Sequence, residues 1–388
     1  MLVSRFPYPL DKGDKLRAFY QLQELSRYYD VTLVAISDET ISPKKHQAVK
    51  DYCREMYIFK IGFVSKVLHL AAGFFHKRPF QTGYFYSWTA ARKIQQLIDA
   101  SNFEHVYCQL IRTTEYVKNE HRVPKTLDYM DALSAGIQRR IGHQAFYSRW
   151  LFRSEARRLS NYERSIFDYF EHTTIISEQD RELIQHPDRK KIHIIPNGIH
   201  SSFFNVPNIE AKHDFVFVGN MSYPPNVEAV QFIADHILPA FKGATLLVSG
   251  SSPAPQIRNL AQHNPQIHVT GWVDDIREAY CSGKIFLAPM FIGTGMQNKL
   301  LEAMALGVPC VTTPLANNAI RAANNLEIMV GSTKEELIDA IHILRENPEF
   351  SKALSKAGSA FIRAHYSWEK SVAELRKIME LAYGKKGG

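Results

Sequence analysis

The chain has 388 residues, 45% hydrophobic and 22% charged, an ordinary balance for a water-soluble globular protein. At roughly 150 residues per domain it is long enough for two domains, each able to bury a core without disulfides or a structural metal. The net charge of +8 favours phosphate-bearing ligands or anionic lipid. Nucleic acid is set aside, because zinc-finger, RNP and basic-zipper patterns are missing. No apolar run approaches the ~18 residues of a spanning helix, and the first 17 residues lack an apolar stretch ending in a cleavage site, so a cytoplasmic protein is expected. The four cysteines, Cys53, Cys108, Cys281 and Cys310, form no CxxC pair. That argues against a disulfide framework and against zinc.

Short β-branched and aromatic runs alternate with helical stretches from end to end. The opening loop is followed by a helix whose stripe is Leu16, Phe19, Leu22, Leu25 and Tyr29. Strands are then predicted at 31–36, 105–110, 126–130, 173–177 and 192–195. Pro196-Asn197-Gly198 is a turn signal. Beyond it strands are predicted at 214–218, 245–249, 266–269, 285–288 and 309–312, with helices at 226–241, 255–263, 274–280 and 297–306. This alternation predicts an α/β protein with two Rossmann-like, doubly wound domains, whose ligands meet the C-terminal strand ends across one cleft.

The most informative segment begins Gly293-Thr294-Gly295-Met296-Gln297-Asn298-Lys299 and continues through Glu302 to Gly307-Val308-Pro309. Glycines allow a ligand close to the backbone, and a helix N-terminus favours an anion such as a diphosphate. Asn298, Lys299 and Glu302 share one helical face. A cation there suits phosphate, and a carboxylate one turn on can take both hydroxyls of a ribose. Gly307 reads as the glycine that ends the helix.

This segment closely resembles the donor-binding segment of GT-B glycosyltransferases, in particular the large retaining family 4 (glycosyl transferases group 1), as found in bacterial polysaccharide synthesis. The resemblance extends along most of the chain. Residues 217–226, with Gly219, Asn220 and Met221, resemble the first strand and loop of such a C-terminal domain. Leu247-Val248-Ser249-Gly250 is similar to its second strand, and Gly271-Trp272-Val273 to the segment that meets the nucleotide base. Ile195-Pro196-Asn197-Gly198-Ile199 matches the close of the N-terminal domain. Phe6-Pro7-Tyr8-Pro9 with Lys12-Gly13-Asp14-Lys15 and Arg17 resembles an N-terminal glycine loop. His365-Tyr366-Ser367-Trp368 resembles the start of a last helix that crosses back.

The resemblance implies an acceptor-binding domain at 1–200, a nucleotide-sugar domain at 201–364 and a helix at 365–388 packed on the first domain. The implied donor site is Gly13, Lys15, Arg17, Gly219, Asn220, Met221, Gly250, Val273, the run 293–299 and Glu302. Two features depart from the family. Thr294 stands where many members carry a first glutamate, and Asn220, Met221 and Ser222 stand where an Arg and Lys are usual. Diphosphate neutralisation then falls to Lys299, helix N-termini, and Lys15 or Arg17.

Lys299 and Glu302 are the expected catalytic pair, in a retaining transfer that needs no carboxylate nucleophile, no metal and no cofactor beyond the nucleotide sugar. Asp128 and Asp131 follow a strand, so their carboxylates are expected at a cleft edge. Asp131 is a candidate for acceptor binding or general-base help; the alternative is helix capping by Asp131 or Ser134. Asp274-Asp275 reads as a helix cap rather than a metal pair, and His105 as structural. The rival functions are a sugar-nucleotide epimerase of similar fold and an inactive sugar-nucleotide-binding protein.

The expected acceptor is a glycan or a lipid-linked intermediate. Residues 63–86 and 139–158 combine cations with aromatics, among them Arg78, Phe80, Phe85, Phe146, Tyr147, Arg149, Trp150 and Arg153. That pattern suits an anionic bilayer, so peripheral attachment at the inner face of the plasma membrane is an expectation; aromatics in the core beneath a solvated arginine face are the alternative.

Overall fold

The computed structural model describes residues 1–62, 78–143, 145–293 and 295–381. Most of the basic aromatic segment at 63–86 therefore lies outside the described residues, as does Thr294. Packing divides the chain into two compact units: Met1–Pro196 with the chain from Trp368 onward, and Asn197–Ser367.

Unit 1 carries a seven-stranded sheet made of β1 (Leu2–Val3), β2 (Thr32–Ser37), β3 (Glu55–Lys60), β4 (Val106–Gln109), β5 (Lys125–Asp128), β6 (His172–Ile175) and β7 (His193–Ile194). All pairings are parallel, in the order β3-β2-β1-β4-β5-β6-β7. Unit 2 carries a six-stranded parallel sheet. Its strands are β8 (His213–Val218), β9 (Leu246–Ser249), β10 (Ile267–Gly271), β11 (Gly283–Ala288), β12 (Cys310–Thr312) and β13 (Met329–Val330), ordered β10-β9-β8-β11-β12-β13. The strand order reverses between β1 and β4 in unit 1 and between β8 and β11 in unit 2. Those are the points where a doubly wound sheet opens a ligand crevice.

The α/β class and the two doubly wound halves are those the sequence predicts. Three strands escape the sequence pattern. β1 and β13 have two residues each, too few to show a period. β3 lies at a sheet edge with its interior only half buried, so it lacks an apolar signature. The predicted helix at 226–241 is divided: an α-helix ends at Phe232, and a π-turn and a 3-10 turn follow to Ala240, where Pro239 cannot donate to a helical ladder.

Seven helices bear on function: α1 (Gly13–Leu25), α2 (Leu133–Arg140), α3 (Arg149–Ile166), α4 (Pro224–Phe232), α5 (Ile276–Cys281), α6 (Asn298–Ala305) and α7 (Trp368–Leu381). In unit 2, Ile199 bridges Ser367, and its N–H donates to the Tyr366 carbonyl at 3.2 Å, so the unit's entry and exit lie side by side. In unit 1, Val372, Leu375, Ile378 and Met379 of α7 join Leu25, Tyr107 and Ile195 in one apolar cluster. Trp368 stacks on Tyr20 with ring centroids 5.2 Å apart.

The core of unit 1 encloses an ion pair. Arg17 of α1 and Asp128 at the end of β5 are both 0% exposed, with Arg17 Nε 2.6 Å from Asp128 Oδ2 and Nη2 3.2 Å from Oδ1. The Asp128 carboxylate also accepts from the Tyr107 hydroxyl at 2.9 Å and the Thr174 hydroxyl at 3.0 Å. The sequence placed Asp128 at a cleft edge and Arg17 at the donor; the structure corrects both. Their charges neutralise each other out of water, and neither is presented to a ligand. Removing one partner of such a pair strands the other charge, at a cost of about 3–5 kcal/mol. Asp128→Ala is therefore expected to lower the urea midpoint of unit 1 sharply, and an unchanged midpoint would contradict this role.

Candidate functional site

The site is built in unit 2, where the loops after β8 and β11 meet. A Cβ at Gly250, whose φ is +134°, would fall 1.9 Å from the Gly219 carbonyl oxygen. Only glycine lets the two strand ends approach so closely. A Cβ at Gly219 would lie 2.7 Å from Asn226 Nδ2, so both glycines shape the bed of the site. Asn226, in the first turn of α4, is 4% exposed. It donates to the Asn220 carbonyl at 2.8 Å, and its Oδ1 accepts from the Lys299 ammonium. One buried amide thus ties the loop after β8 to α6.

The chain enters α6 through Gly293 and Gly295, both with positive φ (125° and 73°). Gln297 stands at the N-cap without a side-chain cap, and the first turn holds no acid. The Leu300 N–H turns back to the Gln297 carbonyl at 2.9 Å, and a helix start without a side-chain cap favours an anion. At the other end the Gly307 N–H reaches the Met304 carbonyl and the Val308 N–H the Ala303 carbonyl, both at 3.0 Å. With φ of +73° at Gly307 this is a Schellman stop, as the sequence predicts.

Lys299 and Glu302 occupy one face of α6. The Lys299 ammonium also sits 5.1 Å from the centroid of the Phe217 ring. Burial pulls it down to about 7, against the opposing charge of Glu302. Burial likewise pushes Glu302 up to about 7, while the Tyr280 hydroxyl and Lys299 hold it lower. That hydroxyl, on the fully buried Tyr280 of α5, donates to Glu302 Oε2 at 2.6 Å and fixes the carboxylate's orientation. Asn298 Oδ1 accepts from Asn197 Nδ2 at 2.8 Å, which joins the Pro196-Asn197-Gly198 turn to the start of α6.

Gly219, Asn220, Gly250, Gly293, Gly295, Gln297, Asn298, Lys299 and Glu302 therefore gather around the switch point of unit 2. Met296 is 8% exposed beside them. Val273 follows β10 at the sheet's edge, after Gly271, whose carbonyl accepts from the Gly250 N–H at 2.9 Å. Met221 is a correction: its side chain is fully buried, and its N–H and carbonyl are bonded to Ser251 and Ala254. Asp275 caps α5 by accepting from the Arg277 N–H at 3.0 Å. Asn226, Tyr280 and Asn197 were not read as site residues. Asn226 looks like an ordinary first-turn residue after two prolines, and Tyr280 like one apolar position of a short helix.

The remaining candidates lie in unit 1. Gly13 is exposed and opens α1 without a positive φ. Lys15 is 3% exposed and pairs with Asp11 at 3.3 Å and Glu39 at 3.6 Å, so its charge is answered within the unit. Asp131 is half buried after β5. Neither it nor Ser134 caps α2, whose N-cap is Ala132. Instead Glu163 of α3 accepts the Ser134 N–H at 3.0 Å and the Ser134 hydroxyl at 2.5 Å. His105 hydrogen-bonds Thr126 and is pulled down to about 3 by burial, which fits its structural reading.

In comparisons with known proteins, residues 212–347 match the family described as glycosyl transferases group 1. An uncharacterized glycosyltransferase of Methanocaldococcus jannaschii is 30% identical over 30% of this chain and 31% of its own length. A phosphatidyl-myo-inositol mannosyltransferase of Mycobacterium leprae is 25% identical over 48% of this chain and 52% of its own. The chain thus spans about half or less of the curated relatives it matches. Among solved structures, a sucrose-phosphate synthase from Thermosynechococcus elongatus superposes with a TM-score of 0.72 at 13% identity, over 99% of this chain and 98% of that one. This likeness shows the two-sheet GT-B fold.

The Glu302 geometry has a pH signature. Its folded value of about 7 lies above the ordinary 4.5, so its contribution to stability is full below pH 4.5 and is lost as pH rises through 7. Glu302→Gln keeps the neutral shape. Its melting temperature is expected to lie nearest wild type at about pH 5 and to exceed it increasingly up to about pH 7, the gap then holding constant. A gap that stays flat from about pH 5 to about pH 7 would refute the assignment.

Proposed function

We propose that the protein, whose residues 212–347 match the family described as glycosyl transferases group 1, transfers a sugar from a nucleotide diphosphate donor to an acceptor hydroxyl. One observation carries the reading. An ammonium and a carboxylate stand one turn apart on a helix whose uncapped start follows two left-handed glycines at a topological switch point. Lys299 and the first N–H groups of α6 hold the diphosphate; Glu302, oriented by Tyr280, takes the ribose hydroxyls. In the reaction the bond from the sugar's anomeric carbon to the phosphate oxygen breaks and the bond to the acceptor oxygen forms on the same face. The acceptor proton passes to the departing phosphate oxygen, whose growing charge Lys299 and the helix start stabilise. No metal enters this scheme.

The acceptor is a glycan or a lipid-linked intermediate, met by unit 1. An exposed aromatic and basic surface on that unit supports the lipid-linked case. Phe146, Tyr147 and Trp150 are 87%, 80% and 61% exposed, and Arg153 and Arg157 are exposed on the same outer face of α3. Exposed aromatics beside arginines suit the boundary of an anionic bilayer. Among the described residues no helix is long and apolar enough to cross a membrane, so the attachment proposed is peripheral.

Two experiments test these readings. Calorimetric titration with UDP-, GDP-, CMP- and dTDP-sugars identifies the donor, and product analysis separates transfer from epimerisation. Removing a charged hydrogen bond to a ligand costs about 2 kcal/mol, so Glu302→Ala is expected to weaken donor binding more than tenfold while the protein stays folded. Unchanged affinity would sink the ribose assignment. For the surface, wild type is expected to pellet with phosphatidylglycerol-containing vesicles at low salt and to be released by raised salt. Trp150→Ala with Arg153→Glu should stay in the supernatant and still bind the donor. Wild type that does not pellet at low salt would exclude the membrane reading.

A further inference from the structure

Unit 1 has a switch point of its own, between β1 and β4. Two residues beyond β1 comes Arg5, and three beyond β4 comes Arg112. Their guanidiniums converge. Arg5 Nη1 and Arg112 Nη1 address the same oxygen of Asp14, the latter at 3.7 Å. Both also lie over the ring of the buried Phe85, at 5.6 Å and 5.1 Å from its centroid. Arg112 is braced by the Gln81 side-chain oxygen, which accepts from Nε at 3.0 Å and from Nη2 at 2.6 Å.

Two cations sharing one carboxylate leave one positive charge unanswered. Asp131 and Arg140 act on Arg112 with opposite signs, Asp131 the more strongly, so they offset that excess only in part. Burial first, and then the like charge of Arg5, pull Arg112 down to about 10. Both side chains keep some access to solvent, 26% for Arg5 and 13% for Arg112.

The backbone around them departs from ordinary geometry. Leu110, just past β4, has φ of 65°, and Met130, just before Asp131, has φ of 62°. Bulky side chains rarely enter the left-handed region, and such residues cluster where a fold must aim functional groups. Here they lie beside the two strand ends that present Arg112 and Asp131.

We propose that Arg5 and Arg112 form an oxyanion-recognition site in unit 1, and that the acceptor carries a compact anionic group which these two guanidiniums hold. The site rests on the reading of unit 1 as the acceptor side. Two guanidiniums, each a planar fork, fit the oxygens of a phosphate, a diphosphate or a carboxylate. Asp14 keeps the pair together when the site is empty, and the incoming anion competes for its partners. Arg5 and Arg112 bind and orient; they take no part in proton transfer.

Pyrophosphate binding, read by calorimetry, tests the site without requiring turnover. Lys299→Ala supplies the background, since it removes the cation assigned to the donor diphosphate in unit 2. That variant is expected to retain pyrophosphate binding. Adding Arg112→Gln, or separately Arg5→Gln, should weaken the remaining binding at least tenfold, and Arg112→Lys should restore part of it. Circular dichroism and melting curves confirm that each variant is folded, and the more exposed Arg5 serves if Arg112→Gln does not fold. Farnesyl diphosphate and methyl glucuronide, titrated into the same Lys299→Ala protein, separate the sources of the anion: the one whose affinity falls with Arg112→Gln marks a lipid diphosphate or a sugar carboxylate. Loss of all pyrophosphate binding in Lys299→Ala alone would overturn the proposal and leave the donor site standing. Binding that is indifferent to both arginines would also overturn it. Binding that ignores Lys299 but needs Arg112 would uphold it and sink the donor assignment instead.

Discussion

Lys299 holds its ammonium against the Asn226 amide and over the face of Phe217, and among the described residues no carboxylate stands within ion-pair distance of it. Burial lowers the proton affinity of this cation, the charge of Glu302 opposes that shift, and an anion beside it would oppose it further. Much of unit 2 serves that condition. Gly219 and Gly250 bring two strand ends into backbone contact, and Asn226 fills the space they leave. The left-handed glycines before α6 turn its uncapped start toward the same place. Tyr280 reaches from α5 to hold the Glu302 carboxylate one turn away.

The burial of Arg17 with Asp128 is the counterpart in unit 1, with the opposite outcome. There the cation meets a carboxylate in two hydrogen bonds, and Tyr107 and Thr174 complete the carboxylate's shell. A closed pair of this kind fixes α1 to the end of β5 and has nothing left for a ligand. The difference between the two lysine- and arginine-bearing helices is therefore one of compensation, not of residue type. Arg5 and Arg112 lie between these extremes, because they divide a single carboxylate between them.

The first six strands of unit 1 follow the order of the six in unit 2, and cations lie near each reversal point. Parallel strands send all their C-terminal ends to one edge, so the loops that follow collect there without long-range signals in the sequence. In such a sheet a few residues after the innermost strands decide the chemistry, while the outer strands supply the frame.

The sequence by itself determined the α/β class, the two halves and the helix that carries Asn298, Lys299 and Glu302. Each of these follows from local periodicity, and the stop at Gly307 follows from the conformational freedom of glycine. It also marked Asp275 as a cap and His105 as structural, since both readings rest on immediate neighbours. Only the tertiary structure decided which charges are free to meet a ligand. Arg17, Lys15 and Met221 sit in a motif-like context, yet their burial depends on Asp128, Asp11, Glu39 and the unit 2 core. Asn226 and Tyr280 entered the site, and Glu163 replaced Asp131 and Ser134 as the acceptor at the start of α2, through partners 22 to 73 residues away along the chain. Periodicity and propensity act over a few residues; whether a charge is compensated depends on contacts that exist only once distant segments have packed.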